Sequence, residues 1–151
     1  MTDRESDCTV RAMRRPDGRV AVLSRRHSLE VDGQTSLDDS ARSPSSLDYL
    51  VSALAADVMA GFEREAARAG VPVNDAELSL SAWLDNPLAA LGVAGESGSP
   101  AVTSIAGTLY VSSDAGVEEL RALWDRTLER APVYSTLHRC AAVRIEFRNV
   151  S

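Results

Sequence analysis

Leu47-Asp48-Tyr49-Leu50-Val51-Ser52-Ala53-Leu54-Ala55-Ala56-Asp57-Val58-Met59-Ala60-Gly61-Phe62 reads as a helix that is apolar or small almost all the way round. At about 100° per residue, Leu47, Leu50, Val51, Leu54, Val58 and Phe62 share one broad face. Ser52, Ala56 and Ala60 lie opposite, small enough for another element to pack closely. A helix of this kind is normally buried on every side. Ser45 is placed to act as N-cap with Asp48 at the third helical position, a variant of the capping box. The sequence turns charged at Glu63, Arg64, Glu65 and Arg68 and stops at Gly70, with Pro72 just beyond. One residue breaks the apolar pattern. Asp57 lies only about 20° around the helix from Leu50, so its carboxylate is expected to be at least partly buried. There it has to be neutral or paired with an arginine, because an unpaired buried charge is costly.

Working outward, the first third reads as short strands. Cys8 to Arg14 and Arg19 to Ser24 flank Pro16-Asp17-Gly18, a strong turn signal. Ser28 to Val31 suggests a third strand, and residues 34–43 an exposed polar loop. Beyond the helix, Leu78, Leu80, Ala82 and Leu84 alternate with polar positions, as do Ile105, Gly107, Leu109 and Val111, and finally Val143, Ile145 and Phe147. Residues 86–100, rich in glycine, alanine and proline, read as a loop or hairpin insertion. A second helix is expected from about Ser113-Asp114, with Val117, Leu120, Trp124 and Leu128 on one face and Pro132 marking its end. The order β-β-β-α-β-β-α-β indicates an α+β fold with segregated layers. At 151 residues, one domain spanning 1–151 is expected.

Composition narrows the function. A net charge of −6 argues against a nucleic-acid binder, which is usually basic. No apolar run is long enough for a membrane span and the polar start has no secretory core, so a cytoplasmic protein is expected. All 16 Lys and Arg residues are arginine, which rules out Schiff-base chemistry and a P-loop lysine. Two cysteines and two histidines are scattered at spacings that match no zinc pattern. Gly-x-Ser-x-Gly does not occur, and the glycines at 92, 95 and 98 lack a strand-glycine-helix context. No metal and no cofactor is expected.

Two segments resemble the OsmC/Ohr family, the osmotically inducible and organic hydroperoxide resistance proteins. The helix around Asp57 is similar to the family's central helix, whose motif P-x-E-x-L-L-A-A-L-A-x-C ends in the cysteine that attacks peroxide. Ala131-Pro132-Val133-Tyr134-Ser135-Thr136-Leu137 is similar to the family's C-P-V-S-x-T-L, whose cysteine resolves the sulfenic acid as a disulfide. Asp57 and Ala131 stand at the two cysteine positions. An aspartate forms neither a sulfenic acid nor a disulfide. The resemblance runs from about Ser28 to Phe147 and implies antiparallel sheets packed on a long central helix. It also implies an intertwined homodimer with sites at the subunit interface, and a peroxidase chemistry that has been lost. A monomer with the helix sandwiched inside its own sheet is the competing arrangement.

The resemblance further implies that an early-strand arginine and a glutamate near the helix start orient the site. Asp48 sits near that glutamate's place, and Arg25 and Arg26 are both candidates for the arginine. Tyr134 and His138 follow Pro132 in a segment that lines the site in relatives. The leading expectation is a dimer-interface pocket for a small organic ligand, with Asp57 giving a polar contact or acting as general acid or base. Against it stand a capping role for Asp48, a fixed ion pair for Asp57 and a surface role for His138. Cys140 lies nine residues after Ala131 and does not match the resolving position. A residual thiol peroxidase working through Cys140 is one alternative. A non-catalytic dimer that binds a partner protein, through the dimer or through residues 86–100, is the other.

Overall fold

A computed structural model describes residues 8–33 and 41–150. The chain divides into two compact units between Tyr49 and Leu50, each with a three-stranded sheet. The expected loop over 34–43 falls largely outside the described residues. In the first unit, β1 (Arg11–Arg14), β2 (Val20–Ser24) and β3 (His27–Val31) form an antiparallel meander. The first strand starts three residues later than the pattern from Cys8 suggests. Gly18 makes the β1–β2 turn with φ of 88°. Asp17 fixes the other side of that turn by accepting from the Arg19 backbone N–H at 3.1 Å and its Nε at 2.8 Å.

The long helix, α1, spans Ser46–Ala69. Its start is the expected capping box: Ser45 N–H and Oγ both donate to Asp48 Oδ2 at 2.8 Å, and Asp48 N–H donates to Ser45 Oγ at 3.2 Å. Tyr49 Oη donates to the Glu30 carbonyl at 2.8 Å. At the far end Gly70 adopts φ of 69°, and Val71 N–H reaches back to the Ala66 carbonyl at 3.0 Å. This six-to-one bond closes the helix as a Schellman motif does.

In the second unit, Leu54, Val58, Phe62 and Ala66 recur every fourth residue and are fully or almost fully buried. Phe62 meets Trp124 and Phe147 at ring separations of 6.4 and 6.3 Å. The expected face holds at its centre and fails at its edge. Leu50 is exposed, and so are Ser52, Ala53, Ala56 and Ala60 on the back. The chain as described therefore does not bury α1 on every side.

The sheet of this unit has the order β4 (Asp75–Leu84), β5 (Val102–Ser112), β6 (Ala142–Asn149). β4 and β5 are antiparallel, but β5 and β6 are parallel, so this sheet is mixed rather than antiparallel throughout. A parallel neighbour needs a crossover connection, supplied by α3 (Val117–Arg130) and α4 (Pro132–Leu137). Gly107 lets β4 and β5 approach closely, since a Cβ there would meet the Ser79 carbonyl oxygen at 1.8 Å. Residues 86–100 are more regular than composition suggests. Asp85 and Asn86 N–H extend the β4–β5 pairing to the Ala101 and Ser99 carbonyls. Asn86 then caps the short α2 (Pro87–Ala90).

Two expectations for the crossover change. The helix starts at Val117 with Gly116 as its N-cap, and Val117 itself is exposed while Leu120, Leu123, Trp124 and Thr127 are buried. Pro132 does not simply end that helix. It opens α4, because proline is also favoured at the first helical position, where its missing N–H costs nothing.

Candidate functional site

Asp57 sits at the margin of the α1 core stripe and is half-buried. Its Oδ2 accepts from the backbone N–H groups of Val133 at 2.8 Å and Tyr134 at 3.1 Å. These are the second and third residues of α4, whose own N-cap, Ala131, offers no side-chain acceptor. The first N–H groups of a helix lack intrahelical partners, and a carboxylate beside them also meets the positive end of the helix dipole. Asp57 thus caps α4 from a different helix. The partners that the structure gives it are backbone amides rather than a guanidinium. Its second oxygen, Oδ1, has no hydrogen bond from the described residues.

Asp57, Ala131 and Tyr134 are brought together by this contact, and Ala131 is buried. The Tyr134 ring packs edge-on against His138 at 5.2 Å and 72°, while His138 itself is exposed at the end of α4. Asp48 is occupied with Ser45 in the capping box. Arg25 and Arg26 form the exposed β2–β3 turn, where Arg25 has a left-handed φ of 53°. Cys140 is exposed, with Sγ 3.3 Å from the Leu137 carbonyl oxygen, contrary to the burial usual for a free cysteine.

One site residue was not singled out by sequence. Glu65 reads as part of a charged helix end, yet it is only 5% exposed. Arg130 Nη1 donates to both of its carboxylate oxygens, at 2.8 and 3.0 Å, and Arg68 Nη1 donates at 2.9 Å. Arg126 Nε lies 3.7 Å away. The hydrogen bond from Arg130, opposed by desolvation and helped by the charges of Arg130 and Arg68, holds the Glu65 carboxyl below the usual carboxylate range. The signal was present: Glu65 follows Val58 by seven residues, which returns it to within about 20° of the buried stripe.

The sequence profile of the family described as OsmC-like protein matches residues 37–146. The chain belongs to the OsmC-like protein family. The same fold occurs in an OsmC-like protein from Mycoplasma pneumoniae, with a TM-score of 0.80 at 17% identity, covering 97% of this chain and 99% of that one. An organic hydroperoxide resistance protein from Legionella pneumophila matches with a TM-score of 0.68 at 12% identity, over 96% and 98% of the two chains. The organic hydroperoxide resistance protein of Bacillus subtilis matches at 0.62 and 15% identity, over 95% and 98%. At such identities the likeness is one of fold. No curated protein matches in sequence.

Within this OsmC-like chain, no group of three or more His, Cys, Asp or Glu side chains among the described residues is arranged to hold a metal. No helix among them is long and apolar enough to cross a membrane. What the site offers chemically is a positioned carboxylate with one oxygen committed and one available.

Proposed function

We propose that this OsmC-like protein has lost thiol peroxidase chemistry and binds a small organic ligand in a pocket completed by a second copy of the chain. Asp57 and Ala131 take the two cysteine positions of the family. The observation that carries this reading is the Asp57 geometry. Oδ2 is fixed by two α4 amides, which orients Oδ1 without spending it. A carboxylate only accepts hydrogen bonds, so the ligand it suits presents an O–H or N–H group on an organic body. Tyr134, beside the same amides, is the aromatic surface closest in sequence to that contact, and His138 packs on it.

The exposure of Ser52, Ala53, Ala56 and Ala60 along α1 supports a second copy as the missing cover. Small residues allow close backbone approach, and an exposed apolar helix face marks an interaction surface. Cys140 does not favour the thiol alternative. It lies beyond the C-terminus of α4, its sulfur turned to the Leu137 carbonyl, and not at the helix N-termini that activate cysteines.

The test is to purify the wild type and the Asp57→Ala variant side by side, and to compare the small molecules that each releases on denaturation by mass spectrometry. A panel of alkyl alcohols and amines is then titrated against both, with native mass spectrometry reporting the oligomer. Binding by a dimer that is lost in Asp57→Ala is expected. Identical binding profiles for the two proteins would end the assignment to Asp57.

A further inference from the structure

Glu65 is surrounded by more positive charge than it needs. Arg130 alone satisfies both carboxylate oxygens, yet Arg68 also donates to Glu65 and Arg126 stands 3.7 Å away. Arg64 points into the same place. Its Nη2 lies 3.8 Å from where a Gly61 Cβ would be, and it has no hydrogen bond or ion pair among the described residues. Three of these arginines, 64, 68 and 130, line a cavity of about 230 Å³ together with Gly61, Glu65 and Thr127. That space holds several waters.

The floor of the cavity is shaped by small groups. Gly61 has no side chain, and Thr127 turns its hydroxyl to the Leu123 carbonyl at 2.8 Å, leaving its methyl toward Gly61. Glu65, buried, works as an internal anchor that fixes two guanidinium groups at the rim. Each guanidinium has five donors in a fixed fork, and Glu65 uses few of them. Three lining arginines against one glutamate leave two net positive charges. They stand in a chain whose overall charge is −6, so the concentration is local and set by position.

From this we infer that the cavity between α1 and α3 is a site for a phosphate group, held by Arg64, Arg68 and Arg130 over Gly61. A phosphate monoester carries close to two negative charges at neutral pH and presents three acceptor oxygens. That matches both the residual charge and the unused fork donors, which favour bidentate recognition of phosphate. Arg64 is exposed and unpaired among the described residues, so its whole fork is available to a ligand at the rim. The site is separate from Asp57 and does not depend on the reading given for it.

Inorganic phosphate and phenyl phosphate, each in chloride buffer at neutral pH, are titrated calorimetrically against the full chain and its Arg64→Gln variant. Because Arg64 has no protein partner among the described residues, the variant should melt at the wild-type temperature without phosphate. The expected result is saturable binding that Arg64→Gln weakens about tenfold, the loss of one charge-assisted hydrogen bond. Binding of phenyl phosphate should also weaken below about pH 6, where a phosphate monoester dianion takes up a proton. Binding of phenyl phosphate alone, with the same dependence on Arg64, would also support the site and identify an organic phosphate as its ligand. Absence of saturable binding for both probes, or equal affinity in Arg64→Gln, would overturn the inference.

Discussion

Asp57 and Glu65 are two acids on one helix, eight residues apart, and each joins α1 to the crossover that follows β5. They do so by opposite chemistry. Asp57 meets backbone N–H groups at the start of α4, whereas Glu65 meets side-chain guanidinium groups from α1 and α3. A backbone partner fixes orientation and leaves no trace in side-chain type. An arginine partner brings net charge, and with it donors beyond those the acid can use. The difference is the basis for proposing a ligand that presents an O–H or N–H group at Asp57 and an anion at Glu65.

Of the substitutions that separate the two acids, Glu65→Ala is expected to give the largest fall in thermal midpoint. It leaves Arg68, Arg126 and Arg130 facing one another without the counter-charge, and removing one partner of a buried pair is more damaging than losing a cap. The effect carries a pH signature. The folded-state carboxyl is held below its ordinary value of 4.5, so its contribution is fully present above that pH. It is lost as the pH falls through the lowered folded value. Thermal melts of wild type and Glu65→Gln should therefore differ most near neutrality and converge in acid.

Asp57→Ala is expected to cost about 1 kcal/mol, the typical loss of a helix N-cap. That corresponds to a fall of roughly 2–4 °C in midpoint for a chain of this size. Amide hydrogen exchange at Val133 and Tyr134 should accelerate in the same variant. Asp57→Asn keeps an acceptor but not the charge, and should lose only about 0.5 kcal/mol through the helix dipole. If the two acids are independent, the double variant Asp57→Ala/Glu65→Ala should be additive to within about 0.5 kcal/mol, since eight helical residues separate them by roughly 12 Å. A larger deviation in urea unfolding would show that α3 and α4 move as one coupled unit.

The smallest effect is expected at Gly61, midway between the acids. Gly61→Ala gains helix propensity but places a Cβ 3.0 Å from Thr127 Cγ2, and the single change should be close to neutral. With Thr127→Ser the methyl is gone, and Gly61→Ala should then stabilise by about 1 kcal/mol.

Much of this was legible in the chain. Alternation at Leu78–Leu84 and Val143–Phe147 marked β4 and β6, and Ser45 with Asp48 marked the start of α1. The acid at position 57 stood out because its neighbours are apolar. Its partner did not, because Val133 and Tyr134 contribute only their backbone amides, which no residue type announces. In sequence Pro132 reads as a stop, because proline both ends and begins helices and α4 has too few residues to show periodicity. Glu65 was hidden by its neighbours. Within Glu63-Arg64-Glu65, a charge run suggests solvent, and only its phase relative to Val58 reveals that the middle of the run turns inward.

Under the proposed function, the site around Asp57 no longer performs thiol redox chemistry. The most direct measurement is cumene hydroperoxide consumption with dithiothreitol as reductant, comparing wild type with Cys140→Ser. Both proteins should show only the uncatalysed background rate. Turnover by the wild type that disappears in Cys140→Ser would contradict it, and would place a working thiol at the end of α4.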